Sequence, residues 1–187
     1  MPMSPKTELR DPTGEAIDLV VRTLRILYAA YWVALIVYAL VLLVILPAVR
    51  SAEPERVALP PNWPQWQLFF GIVGIALLYL SQRLRGALID PKRIQQRILR
   101  GSGAATPVAM NVLTQGMARI VSGHVFLWCI VEVPALLGVI DRLMSGEVRY
   151  FAALCAMSAA GLALHRPSRD RVEAVFAGLR GTVLPAG

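Results

Sequence analysis

Polar and apolar positions in this chain come in long blocks, not in the short steps of a soluble fold. Four apolar runs stand out: Ile26–Leu46, Trp66–Leu84, Ile120–Ile140 and Tyr150–Leu164. The first and third are long enough, as helices rising 1.5 Å per residue, to cross a hydrocarbon core of about 30 Å. The second is broken near its end by Ser81, Gln82 and Arg83, and the fourth is short. These two would have to borrow interfacial residues or thin the bilayer locally. The same two short runs leave open an alternative with two spans and two buried helices.

The blocks between the runs carry their own helical pattern. Asp11-Pro12 reads as a cap with proline at the first helical position, followed by Ile17, Val20, Val21, Leu24 and Leu27 at helical spacing into the first run. Asp90-Pro91 repeats that signal and opens a short basic helix, with Ile94 and Ile98 on one face, that Gly101 stops. Thr106-Pro107 opens a third helix that continues into the run around Glu132. Ser168 caps a fourth, whose Val172, Val175, Phe176 and Leu179 share a face. An apolar stripe with basic flanks suits a helix lying on a membrane surface; the same stripes can equally pack on one another, or on a partner, as a collar. The pattern predicts an all-α integral membrane protein. It predicts a four-helix transmembrane bundle with amphipathic cytoplasmic helices, one membrane domain over 1–187 with cytoplasmic segments 1–25, 85–119 and 165–187.

Composition agrees with that class. The chain has 187 residues, 56% hydrophobic and only 17% charged, with a net charge of +7 and a mean hydropathy of +0.57. Of its 19 Lys and Arg residues, all but Arg50, Arg56, Arg142 and Arg149 fall before the first run, from Arg83 at the end of the second run to the start of the third, or after the fourth. Lys and Arg are retained on the cytoplasmic side during insertion. Both termini and the central segment are therefore expected to face the cytoplasm, in the cell inner membrane. No cleavable signal sequence is expected, and the first run would stay as an anchor. Arg83, Arg85, Lys92, Arg93, Arg97 and Arg100 form a basic set at the membrane surface, where anionic headgroups attract each charge by ~1 kcal/mol. The positive balance therefore points to a lipid bilayer rather than to nucleic acid, for which no motif is present. Trp63 and Trp66, among Pro54, Pro60, Pro61 and Pro64, suit an outer aromatic belt; Tyr28, Tyr31 and Trp32 suit the matching inner belt.

Within the spans, chemistry is sparse. Glu132 is the one acid in the run from Ile120 to Ile140, with no Lys or Arg at its depth. A carboxyl group there is costly, takes a partner or a function, and is cheaper as the neutral acid. His124, Trp128 and Glu132 recur every fourth residue on one helix face. His124 sits two turns away from Glu132, about 12 Å along the axis and beyond direct contact. Pro134 has no N–H, so the carbonyl of Ile130 loses its helical partner beside the carboxyl group. Spans one and three run in the same direction, which puts Tyr38 level with Glu132. Glu132, Tyr38, His124 and Pro134 thus form the candidate proton or ion site, against three readings of the carboxyl: interhelical hydrogen bond, titrating site, or polar contact to a partner. Ala152, Ala156 and Ala160, with Ala153, Met157 and Gly161 alongside, and Gly71 and Gly74 on the second run, are candidates for close helix packing. Cys129 and Cys155 read as packing residues, and no metal, cofactor or catalytic residue is expected.

The stretch from Ala118 to Ile140 resembles the carboxyl-bearing helix of rotary ATP synthase c subunits. Glu132 and Gly138 match the spacing of the family's mid-membrane acid and the glycine after it, which would imply a proton or sodium site at Glu132. The overall layout looks like uncharacterised bacterial four-span membrane proteins, with a glutamate in the third span and an Arg-Pro-Ser-Arg end, here Arg166 to Arg169. From the residues, the expected function is an accessory or scaffold subunit binding other membrane proteins or itself. It would have no catalysis of its own; the alternative is a proton-responsive or ion-translocating oligomer using Glu132.

Overall fold

Prolines lie in the first turn of three helices in the computed structural model, which describes residues 12–45, 47, 61–101 and 109–183. Six α-helices follow one another: α1 (Pro12–Leu40), α2 (Trp63–Leu88), α3 (Pro91–Gly101), α4 (Ala109–Ser145), α5 (Val148–Leu164) and α6 (Arg169–Val183). Helix α1 opens at the proline of its predicted cap pair. Helix α3 opens at Pro91, with Asp90 Oδ1 accepting the Lys92 N–H at 2.8 Å. The predicted start at Thr106-Pro107 lies outside the described residues, as does Asp11. At its far end α1 widens into a π-helical turn, Val41–Ile45, shortly ahead of Pro47, which has no N–H to give the carbonyl four residues back. Between α4 and α5 the chain reverses at Gly146, whose φ of 75° is open to glycine at no steric cost. Its N–H closes α4 by bonding to the Arg142 carbonyl at 3.1 Å.

Helix α4 is the axis of the molecule. At 37 residues it is about 55 Å long, and every other helix packs against it. Its most extensive partners are α5 and then α2. Helices α1, α2 and α4 are long and apolar enough to cross a membrane. The fourth predicted span is shorter: α5 has 17 residues and reaches that length only together with α6, from which it is bent by 43°. Faces of α1 and α2 away from α4 are apolar and uncovered, including Ile26, Val33, Ile36 and Leu40 on α1 and Leu68, Phe69, Ile72 and Ile75 on α2. Such surface suits lipid as its solvent, and in water would exceed what soluble proteins leave bare.

Of the alternatives left open for the amphipathic segments the structure shows the collar, and one expectation about packing changes. The amphipathic segments do not lie apart as separate surface helices. Ile94 and Ile98 of α3 and Val172, Val175, Phe176 and Leu179 of α6 are buried together with Val20, Val21 and Leu24 of α1 and Val112 of α4. They form a collar at one end of the bundle, because stripes on neighbouring short helices bury more apolar surface against one another than either does alone. The alanine row of α5 fails as the packing face. Ala152, Ala156 and Ala160 are exposed, and Phe151, Leu154, Ser158, Gly161 and Leu162 face inward. Gly161 is the close approach: a Cβ there would lie 2.8 Å from Leu78 Cδ2 and 2.8 Å from Val131 Cβ. On α2, Gly74 is buried against Met157, whereas Gly71 meets nothing within 4 Å.

Candidate functional site

The depth argument from the sequence puts Tyr38 and Glu132 at one level, and the structure brings them into contact. Tyr38 Oη donates to Glu132 Oε1 at 3.0 Å, linking α1 to α4. Both residues are half-buried. The carboxyl oxygen can accept this bond whether the group is neutral or charged. Along the same seam, one turn away on α4 and two on α1, Tyr31 Oη lies 3.0 Å from Cys129 Sγ. Pro134 is buried beside the pair in sequence, and the residue after it is bonded to one that the sequence reading passed over. The backbone N–H of Ala135 bonds to Ser158 Oγ of α5 at 2.9 Å. The Glu132 level is thus held on two sides, by a hydroxyl from α1 and one from α5.

His124 does not join that site. It belongs to a second, fully buried polar cluster nearer the collar, with Ser81, Trp128 and His165. His124 Nδ1 lies 2.9 Å from the Ile120 carbonyl. A carbonyl only accepts, so Nδ1 carries the proton and Nε2 is a bare acceptor. Ser81 Oγ gives its proton to the Leu78 carbonyl at 2.7 Å, so His165 Nε2, 3.0 Å from that oxygen, must be the donor. That leaves His165 Nδ1 unprotonated. Neither His124 Nε2 nor His165 Nδ1 has a hydrogen-bond partner among the described residues. The indole N–H of Trp128 donates to the His165 carbonyl at 3.2 Å, fixing the turn after α5. The Trp128 ring meets Tyr28 and Tyr31 with centroids at 5.7 and 5.6 Å. Tyr28 and Tyr31, read from the sequence as an interfacial belt, therefore serve as inward packing for α4.

His165 lies in the turn beyond the spans, and burial, then the charges of Arg85, His124 and Arg171, push its pKa from 6.5 down to about 4. A histidine harder to protonate folded than unfolded takes up protons on unfolding. Its contribution is complete above the unfolded pKa and declines as pH falls from about 6.5 toward about 4. Thermal unfolding in detergent is therefore expected to shift to lower temperature across that window. A His165→Gln variant should show a shallower fall; an equal fall in both would assign the effect to other groups.

At the opposite end of the bundle a buried acid organises the entry to α2. Asp141 Oδ1 accepts from Trp63 Nε1 and from Gln67 Nε2, both at 3.0 Å. Ser145 Oγ bonds to the Asp141 carbonyl at 2.8 Å. Trp63, expected at a water boundary, is instead turned inward onto Asp141, while Trp66 is exposed as a belt residue would be. The basic set lies on the collar side. Arg83 is exposed, stacks over the Tyr79 ring at 5.1 Å and bonds to its hydroxyl at 2.8 Å. Lys92, Arg93, Arg97 and Arg100 are exposed on α3, and Arg85 is half-buried. Both cysteines are free thiols. Among the described residues no group of three or more His, Cys, Asp or Glu side chains is arranged to hold a metal.

Comparison with known proteins returns no matching family model, no matching curated protein and no matching solved structure. The likeness of the Glu132 stretch to the c-subunit helix thus stays local. Two features separate it further: helix α3 stands between α2 and α4, and Pro134 lies between the acid and Gly138.

Proposed function

We propose that this chain is a multi-span inner-membrane protein that acts as an accessory or scaffold subunit, without catalysis of its own, and that Glu132 is an interhelical hydrogen-bonding group. The observation that carries this reading is the Tyr38–Glu132 bond across α1 and α4. It gives the acid a short-range partner on a neighbouring span, and model peptides and membrane bundles assign such bonds ~0.6–2 kcal/mol. The uncovered apolar faces of α1 and α2 are surfaces for lipid or for the spans of other membrane proteins. The basic collar supports an orientation with both termini in the cytoplasm.

The alternative, a proton-responsive or ion-translocating oligomer, draws on the half-buried state of Glu132, which leaves the carboxyl reachable from the lipid seam. One pair of variants separates the two. In the structural role, Glu132→Gln keeps an oxygen for Tyr38 and unfolds near the wild-type temperature, whereas Tyr38→Phe lowers stability by about 1 kcal/mol. Proton flux into vesicles carrying the protein should be the same for wild type and Glu132→Gln. Flux abolished by Glu132→Gln in a normally folded protein would replace the scaffold reading with the ion reading. Carbodiimide labelling gives a second check: a carboxyl committed to helix pairing reacts slowly and without a proton-competition profile.

A further inference from the structure

A pocket of about 740 Å³ opens at the collar where the end of α2, the start of α3 and the first turns of α6 meet. That volume is in the range of small-molecule sites, roughly 300–1,000 Å³. Three cations from three helices line it: Arg85 of α2, Lys92 of α3 and Arg171 of α6. The two guanidinium groups are close enough to repel each other, and both residues are half-buried. Among the described residues none of the three cations has an ion-pair partner. The one acid in the lining, Asp90, directs Oδ1 to the Lys92 backbone N–H. Gln95 is committed to α6, with its amide 3.4 Å from the carbonyls of Ala174 and Val175.

Like charges held together on separate helices raise the energy of the empty collar, and an anion between them reverses the sign of that interaction. Arginine pairs, planar and forked, match the oxygens of a phosphate, and a lysine adds a point charge.

We propose that this pocket is a binding site for a phosphate-bearing anion, with the phosphate gripped between Arg85 and Arg171 and steadied by Lys92. Two sources present that chemistry at this level: the headgroup of an anionic phospholipid and a soluble phosphate or phosphomonoester. The diffuse attraction of a basic surface for anionic lipid does not discriminate among its arginines, whereas a pocket does.

The test uses the full chain in two arms. In the first, nanodiscs of phosphatidylcholine alone or with phosphatidylglycerol are compared, and retained anionic lipid is read by native mass spectrometry. In the second, inorganic phosphate or glycerol 3-phosphate is titrated into protein in neutral detergent, and the unfolding temperature is followed. Saturable binding is expected in at least one arm; lipid alone identifies a headgroup site, and the soluble anion alone identifies a metabolite site. The Arg85→Gln/Arg171→Gln double variant should weaken that binding about tenfold per arginine, the scale of one charge-assisted bond. Arg93→Gln/Arg100→Gln removes the same charge from α3 outside the pocket and should leave it unchanged. Absence of binding in both arms, or equal weakening by the two double variants, would overturn the proposal. Should the pocket double variant fail to fold, the exposed Lys92→Gln against Arg93→Gln makes the same comparison, with equal effects again overturning it.

Discussion

Trp128→Ala is expected to cost about 3–5 kcal/mol, the range for removing a buried aromatic side chain. Trp128 is fully buried at the point where α1, α4 and the turn after α5 converge. Its ring supports Tyr28 and Tyr31 on one side and His124 on another, and its N–H secures the His165 carbonyl. Truncation removes the ring contacts and leaves that carbonyl buried without its donor, so the transfer loss and the hydrogen-bond loss add. For a chain of this length the unfolding temperature in detergent should fall on the order of 10 °C. Trp128→Phe keeps most of the ring and loses the donor alone, and should cost about 1 kcal/mol. If Trp128→Ala unfolds within a degree or two of wild type, the convergence on this ring does not hold the bundle together.

Gly161→Ala is expected to destabilise by about 1–3 kcal/mol, as overpacking of a filled interface does. The new Cβ would meet Leu78 Cδ2, Val131 Cβ and Val131 Cγ1, all closer than 3.0 Å. Leu78 can swing its tip away. Val131 is β-branched and fully buried, with one preferred rotamer in a helix, so α4 and α5 must move apart. Gly161→Leu should then prevent folding altogether, read as loss of the monodisperse peak in size-exclusion chromatography. Controls on the same and neighbouring helices sharpen the claim. Ala156→Leu, on the exposed row, should stay within about 0.5 kcal/mol of wild type. Gly71→Ala meets nothing within 4 Å and should stabilise slightly through helix propensity. A tolerant Gly161 beside an intolerant Ala156 would put the packing face back on the alanine row.

What could be read from the sequence follows from how many dimensions each inference needs. Span position and depth are one-dimensional, set by rise along a helix. That sufficed to align Tyr38 with Glu132 across sequence-distant helices. The stripes of α3 and α6 were likewise legible, because a short amphipathic helix has one face to bury. Azimuth needs neighbours, and there the reading was right for Gly161 and Gly74, both buried, and wrong for the alanine row. Ala152, Ala156 and Ala160 form a smooth row that lipid accommodates as readily as another helix, whereas the single Gly161 makes the close approach. The histidine cluster was missed because His165 falls one residue past the fourth apolar run and so reads as loop. The same depth alignment would have found it: Ser81 and His165 each sit near the end of a helix running in the same direction. Trp63 and Asp141 are also legible only as a pair. Alone, the first suggests an interfacial belt and the second the polar end of a span.

Among the described residues, helix α1 packs on α4, α5 and α6, yet shares no substantial contact with α2, its neighbour along the chain. This has a consequence for biosynthesis. The ribosome releases α1 and α2 well before any residue of α4, so as candidate spans the two would enter a bilayer without a protein surface to settle on. Tyr38 and Tyr31 wait for Glu132 and Cys129 across most of a hundred positions of chain, and Val20, Val21 and Leu24 wait longer still for α6. Until then α1 must be stable in lipid by hydropathy alone, which its uninterrupted apolar run from Ile26 secures. Synthesis of α4 is therefore the expected committing step, because it supplies the surface on which both α1 and α2 pack.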